Sequence, residues 1–185
     1  MKSTNNYMNP EQLNQVIAAI PHLSIRKWDD RDIEYLFRIS YHCALRMGEA
    51  VKLSTEDFDL EDRYLYLHQT KTRKNDKTVI PKDFVDDLEF YLMDKAGPLF
   101  PGLTSKRVLV WINKLGKLLD IPAWTAMQSD TGEKTKCHIF RKSRDKDLVK
   151  QGISLPVIMD VYRHDSLNTT SKYLRNTAEG VKEVI

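Results

Sequence analysis

Residues 64–80 read Tyr64-Leu65-Tyr66-Leu67-His68-Gln69-Thr70-Lys71-Thr72-Arg73-Lys74-Asn75-Asp76-Lys77-Thr78-Val79-Ile80. The two ends of this stretch, Tyr64–His68 and Lys77–Ile80, are short and rich in aromatic and β-branched residues, and they flank the polar run Arg73-Lys74-Asn75-Asp76. That is the pattern of a β-hairpin. On both sides of it the apolar residues follow a helical period instead. The stretch therefore decides the fold class: mainly α with a small antiparallel β-sheet, an α+β chain.

Toward the N-terminus, Asn9-Pro10-Glu11-Gln12 places a cap, a proline at the first helical position and a glutamine at the third. Leu13, Val16, Ile17 and Ile20 follow at i, i+3, i+4 and i+7, so a helix begins near residue 10. A second helix starts after Asp29-Asp30, carries Ile33, Leu36, Phe37 and Ala44 on one face, and is expected to run to about Arg46. Toward the C-terminus, Phe84, Leu88, Tyr91 and Leu92 form one helical face. Val108, Leu109, Ile112, Leu115 and Leu119 form another, after a Ser105 cap. Residues 120–135 read as a loop or excursion, 138–151 as a helix closed by Gly152, and a further helix starts around Ser154 to Pro156. A last short helix is expected at Asn168-Thr169-Thr170, carrying Tyr173.

The chain has 185 residues, 41% hydrophobic and 30% charged, which suits one folded domain and excludes a disordered or collagen-like class. No run approaches the roughly 20 apolar residues of a membrane helix, and the N-terminus lacks a signal-peptide core, so a soluble cytoplasmic protein with no membrane partner is expected. Cys43 and Cys137 lack metal-ligand spacing and are expected to be free thiols in a reducing compartment. The net charge is only +3, but it is unevenly placed. Residues 134–150 carry seven Lys and Arg against two Asp, whereas residues 83–94 carry five acids and no Lys or Arg. One basic side is enough to engage a polyanion.

Three local patterns carry chemistry. The first is Ala44-Leu45-Arg46-Met47-Gly48-Glu49, the second His138-Ile139-Phe140-Arg141 with Gly152 eleven residues on, and the third His164-Asp165-Ser166 with Tyr173 nine residues after the histidine. Singly, each has an ordinary structural reading: a helix-surface ion pair, a structural histidine, a core aromatic. As an ordered set they resemble the tyrosine recombinase (phage integrase) family, over nearly the whole chain. That family has an arginine in a G-L-R-x-x-E segment, a hairpin lysine, H-x-x-R, then G-H and the tyrosine. Arg46, Lys71, His138, Arg141, His164 and Tyr173 stand in those places. Ala44 replaces the usual glycine before Leu-Arg, Arg163 replaces the glycine before the second histidine, and Lys142 stands where histidine is common.

The resemblance implies a site-specific DNA recombinase or integrase catalytic domain of the kind that mobile elements and viruses use to integrate their genomes. Such a domain is a metal-independent DNA strand transferase. Tyr173 would attack a phosphodiester and form a 3′-phosphotyrosine, which conserves the bond for rejoining, so no cofactor is expected. Arg46 and Arg141 would neutralise the phosphoryl oxygens with planar forks that lysine cannot reproduce. His138 would move the tyrosine proton, His164 would donate to the phosphate, and Lys71 would protonate the leaving 5′ oxygen. Lys74 and Lys77 lie in or beside the same hairpin, and the Thr70-Lys71-Thr72 context favours Lys71. Glu49 would support Arg46, and Lys74, Lys142, Arg144 and Arg163 would contact double-stranded DNA. No metal site is expected.

A single catalytic domain is expected over 1–185, with a flexible N-terminus over about residues 1–8. The tail, about 174–185, would dock on a neighbouring protomer or fold back on its own chain, and the family's N-terminal core-binding domain would be absent. A monomer alone and a homotetramer on DNA are the expected states. The competing readings are a type IB topoisomerase, a non-catalytic DNA-binding regulator with the same fold, and a metal-dependent nuclease, for which no carboxylate cluster surrounds His138 or His164 in the sequence. His22, His42 and His68 read as structural, and Trp28, Trp111 and Trp124 as packing residues.

Overall fold

The computed structural model describes residues 7–23, 25, 27–68, 76–121 and 138–161. Helix α1 (Pro10–Ala18) begins as its sequence dictates. The Gln12 N–H donates to Asn9 Oδ1 at 2.7 Å and the Asn9 N–H donates to Gln12 Oε1 at 3.0 Å, a reciprocal cap. Helix α2 (Asp30–His42) starts on Asp29, whose carboxylate accepts from the Arg31 N–H at 2.8 Å. It buries Ile33, Leu36, Phe37 and Ile39 and forms the centre of the core.

The end of α2 departs from the expected course. The helix stops at His42 rather than near Arg46, because Ala44 takes φ 50°. The Ala44 N–H then donates to the Tyr41 carbonyl at 3.1 Å and the Leu45 N–H to the Ser40 carbonyl at 2.9 Å. This pair of bonds is a Schellman closure, normally built on glycine. An alanine there carries left-handed backbone strain of about 1–2 kcal/mol. Its methyl is fully buried and clusters with Ile158. Arg46, instead of finishing α2, becomes the N-cap of the one-turn helix α3 (Met47–Ala50).

The hairpin forms where the sequence places it. Strand β1 (Phe58–Asp59), β2 (Tyr64–Leu67) and β3 (Asp76–Val79) make an antiparallel sheet in that order, with Tyr64 opposite Val79, Leu67 opposite Asp76 and Phe58 opposite Leu65. β1, at two residues, is too short to show a period and escapes a reading by pattern. Leu65, Leu67 and Thr78 face inward, and the Thr78 hydroxyl donates to the Cys43 carbonyl at 3.3 Å, tying the sheet to the end of α2. Cys43 is a free, buried thiol, and burial pushes its pKa up to about 12.

Helix α4 (Val85–Leu92) packs across α2 through Tyr35 and Tyr91, whose rings stack 3.9 Å apart. Helix α5 (Ser105–Leu118) is capped by Thr104, one residue before the expected Ser105. The Thr104 hydroxyl accepts from the Arg107 N–H at 3.3 Å. Trp28 and Trp111 meet edge to face at 5.6 Å, as packing residues do. Helix α6 (Ile139–Lys150) lies against α2, with Phe37 and Phe140 5.2 Å apart. It closes at Gly152, φ 82°, and helix α7 (Leu155–Val161) follows.

Of the stretch expected to be flexible, about residues 1–8, Tyr7 and Met8 are described. Met8 is fully buried and its N–H donates to Ser143 Oγ at 2.8 Å, which fastens the start of the chain to α6. Of the 120–135 excursion only Asp120 and Ile121 are described. Cys137, Trp124, the helix expected at Asn168 and the tail from about 174 lie outside the described residues. Among the described residues no helix is long and apolar enough to cross a membrane.

Candidate active site

Glu49 is the hub. Its Oε2 accepts from the Arg46 N–H at 2.8 Å, which satisfies the backbone donor at the start of α3, and its Oε1 accepts from Arg46 Nη1 at 3.0 Å. Arg141, from α6 and 92 residues further along the chain, donates Nη2 to Glu49 Oε2 at 3.3 Å. Arg141 also donates Nε to the Ala44 carbonyl at 2.7 Å. One carboxylate therefore gathers two guanidinium groups, and the left-handed turn at Ala44 aims the carbonyl that fixes the second.

Burial differs across this group. The Arg141 side chain is 6% exposed and Glu49 10%, whereas Arg46 is 33% exposed. Among the described residues this cluster sets two cations against one buried anion, with Arg46 at its solvent edge. An arrangement of this kind suits an arriving oxyanion, since donors held in place by other bonds need little reorganisation when charge develops beside them.

His138 joins the cluster from the N-cap of α6. Burial, then Arg141, Arg46 and Lys142, push its pKa from 6.5 down to about 4. The imidazole is consequently neutral near pH 7 and can accept a proton. The sequence-predicted Arg46, Glu49, His138 and Arg141 are thus brought together. Lys142 follows Arg141 on α6 and is close enough to act on His138. Arg144, expected at DNA, is turned inward instead: its side chain is 11% exposed and Nη1 pairs with Asp147 Oδ2 at 3.0 Å. Lys71, Lys74, Arg163, His164 and Tyr173 lie outside the described residues.

Two contributors are absent from the motif reading. The Ala44 carbonyl carries no side-chain signal, and only the family's glycine at that place hints at a special backbone. Asp57 and His68 form a second pair at 3.0 Å, beside a cleft of about 310 Å³ lined by Glu49, Lys52, Leu53, Asp57, Leu67 and His68. The cleft shares Glu49 with the cluster but neither arginine nor His138. His42 stacks on Phe84 at 4.3 Å and is held neutral by burial and Arg144, its pKa lowered to about 4. Among the described residues no group of three or more His, Cys, Asp or Glu is placed to share a metal ion.

Comparison with known proteins bears on the same residues. The description of the phage integrase family matches residues 6–179. The chain is 29% identical over 190 residues to tyrosine recombinase XerA of Pyrococcus furiosus, covering 100% of this chain and 62% of that protein. Its fold matches the catalytic domain of bacteriophage HP1 integrase with a TM-score of 0.65 at 17% identity, covering 91% of this chain and 86% of that one. It also matches XerH site-specific recombinase, in a pre-cleavage complex bound to its difH substrate, with a TM-score of 0.67 at 18% identity. That likeness covers 96% of this chain and 52% of XerH. The chain thus spans about 62% of the length of the curated relative and about half of XerH.

Proposed function

The chain belongs to the phage integrase family, and on that premise we propose that it is the catalytic unit of a site-specific recombinase or integrase. In this reading it cleaves and rejoins double-stranded DNA through a covalent 3′-phosphotyrosine. The observation that carries the reading is the engagement of both Arg46 and Arg141 by Glu49, with neutral His138 beside them. XerH bound to its difH substrate supports DNA as the ligand.

The steps follow from the residue types. Tyr173 Oη attacks the phosphorus and passes its proton to His138, whose depressed pKa keeps it unprotonated at neutral pH. Arg46 and Arg141 offset the charge growing on the non-bridging oxygens, and His164 donates to the same group. The bond from phosphorus to the 5′ oxygen breaks, and Lys71 supplies that oxygen with a proton. Rejoining reverses each transfer, so neither nucleotide hydrolysis nor a metal ion enters the scheme. Glu49 positions both arginines and touches no reacting atom. Strand exchange between two duplexes takes place in a homotetramer on DNA, and the chain alone is a monomer.

The test is a suicide duplex nicked near the cleavage point, incubated with EDTA and resolved on a denaturing gel. The chain should give a covalent protein–DNA band, and Tyr173→Phe should give none while keeping its melting temperature and its DNA binding. A band of wild-type intensity from Tyr173→Phe refutes the nucleophile, and a strict magnesium requirement for cleavage refutes the chemistry.

A further inference from the structure

Helix α6 carries more positive charge than the site uses. Lys142, Lys146 and Lys150 recur at i, i+4 and i+8, which sets them along one side of the helix in steps of about 6 Å. The row starts at the site itself, since Lys142 acts on His138. Lys146 and Lys150 have no carboxylate partner among the described residues. The acids of the same helix do not answer them: Asp145 is buried at 3% exposure, and Asp147 is taken by Arg144 and Gln151.

Instead the two lysines share an aromatic ring. Lys146 Nζ stands 4.1 Å and Lys150 Nζ 5.5 Å from the centroid of Tyr7. Tyr7 is fixed in turn by its neighbour Met8, which is fully buried and donates its N–H to Ser143 on α6 at 2.8 Å. The ring is therefore a platform locked to the helix, and it holds the ammonium groups in register before any ligand arrives. Half-burial and the two neighbouring lysines lower the Lys146 pKa, so the row is unfavourable to itself until an anion lies along it.

Resting on the DNA reading above, we propose that Lys142, Lys146 and Lys150, with Tyr7 as their platform, form a ridge that binds the phosphate backbone of duplex DNA beside the cleavage site. The ridge spans about 12 Å, the reach of roughly three phosphates along one strand. Phosphate contacts of this kind set register and orientation and carry no sequence preference.

The experiment is equilibrium binding of the full chain to duplexes of two unrelated sequences between about 50 and 200 mM salt. The double variant Lys146→Gln with Lys150→Gln should lower the slope of log affinity against log salt by about one per lysine, equally for both sequences. It should melt cooperatively at a temperature no lower than the wild type, which separates the loss of binding from unfolding. Tyr7→Ala should weaken binding and Tyr7→Phe should restore it, since the ring and not the hydroxyl forms the platform. An unchanged slope in the double variant overturns the ridge and leaves the DNA reading standing. So does an equal loss of slope in Lys27→Gln with Lys82→Gln, two exposed lysines elsewhere. A wild-type chain that binds neither duplex overturns both the ridge and the reading it rests on.

Discussion

Replacing Glu49 by glutamine keeps the side chain's size and removes only its charge. The carboxylate answers Arg46 at 3.0 Å and Arg141 at 3.3 Å, and it is itself 10% exposed. Breaking a buried ion pair by neutralising one partner costs about 3–5 kcal/mol. The Arg141 contact, 6% exposed, belongs in that range, whereas the Arg46 contact, 33% exposed, adds less than about 1 kcal/mol after solvent screening. The glutamine carbonyl still accepts from the Arg46 N–H, so the α3 cap survives in part. A net loss of about 3 kcal/mol is expected, equivalent to a melting temperature lower by roughly 6–12 °C in a chain of this length. The assay is urea unfolding followed by tryptophan fluorescence, with the m-value checked for constancy. A second arm is diagnostic. With the carboxylate neutral, the two guanidinium groups lose the charge they share, so sulfate should bind between them and stabilise Glu49→Gln more than the wild type. A variant within about 0.5 kcal/mol of wild type, the size of an ordinary surface substitution, or an equal response of both proteins to sulfate, refutes Glu49 as the clamp.

Two further predictions address the parts around the clamp. Ala44→Gly should leave stability within about 1 kcal/mol of wild type, because relief of the φ 50° strain is offset by loss of the methyl packed near Ile158. Ala44→Val, branched at a left-handed position in a closed site, should cost at least about 2 kcal/mol by the same unfolding assay, and a neutral valine would refute the turn. His42, its pKa lowered to about 4 against 6.5 when unfolded, makes the unfolded state the stronger proton binder between those values. Stability is therefore insensitive to this group above pH 6.5 and falls as pH drops toward 4, by roughly 2–3 kcal/mol at pH 4.5. The urea midpoint of His42→Phe should decline less over that window than that of the wild type, and parallel declines would refute the buried neutral histidine.

Local features of the fold were legible because the forces behind them act over three or four residues. Asn9 and Gln12 cap α1 reciprocally, the alternation in 64–67 and 77–79 pairs as a hairpin, and Gly152 closes α6, each through contacts within one turn or one register. The failures are equally physical. The apolar pattern carries α2 through to Arg46 because Ala44 fits the apolar face, and nothing in a lone alanine announces a positive φ. β1 is two residues long, below any period, and Thr104 displaced Ser105 as cap because both are capping residues.

For the site, the sequence by itself determined which residue types were present and their order: Arg46 and Glu49 one helical turn apart, then His138 and Arg141 at the same spacing. It also put Lys142, Lys146 and Lys150 in one row, since helical periodicity needs only the local chain. That Glu49 serves Arg141 as well as Arg46, that the Ala44 carbonyl holds Arg141 Nε, and that Tyr7 lies under two lysines of α6 were decided by tertiary structure alone. These contacts join segments some 90 to 140 residues apart, too far for any local spacing to encode. They exist because α2 packs on α6 through Phe37 and Phe140 and because Met8 is buried beside Ser143. Burial of apolar surface brought the charged groups within reach, and their own attraction then set the final geometry.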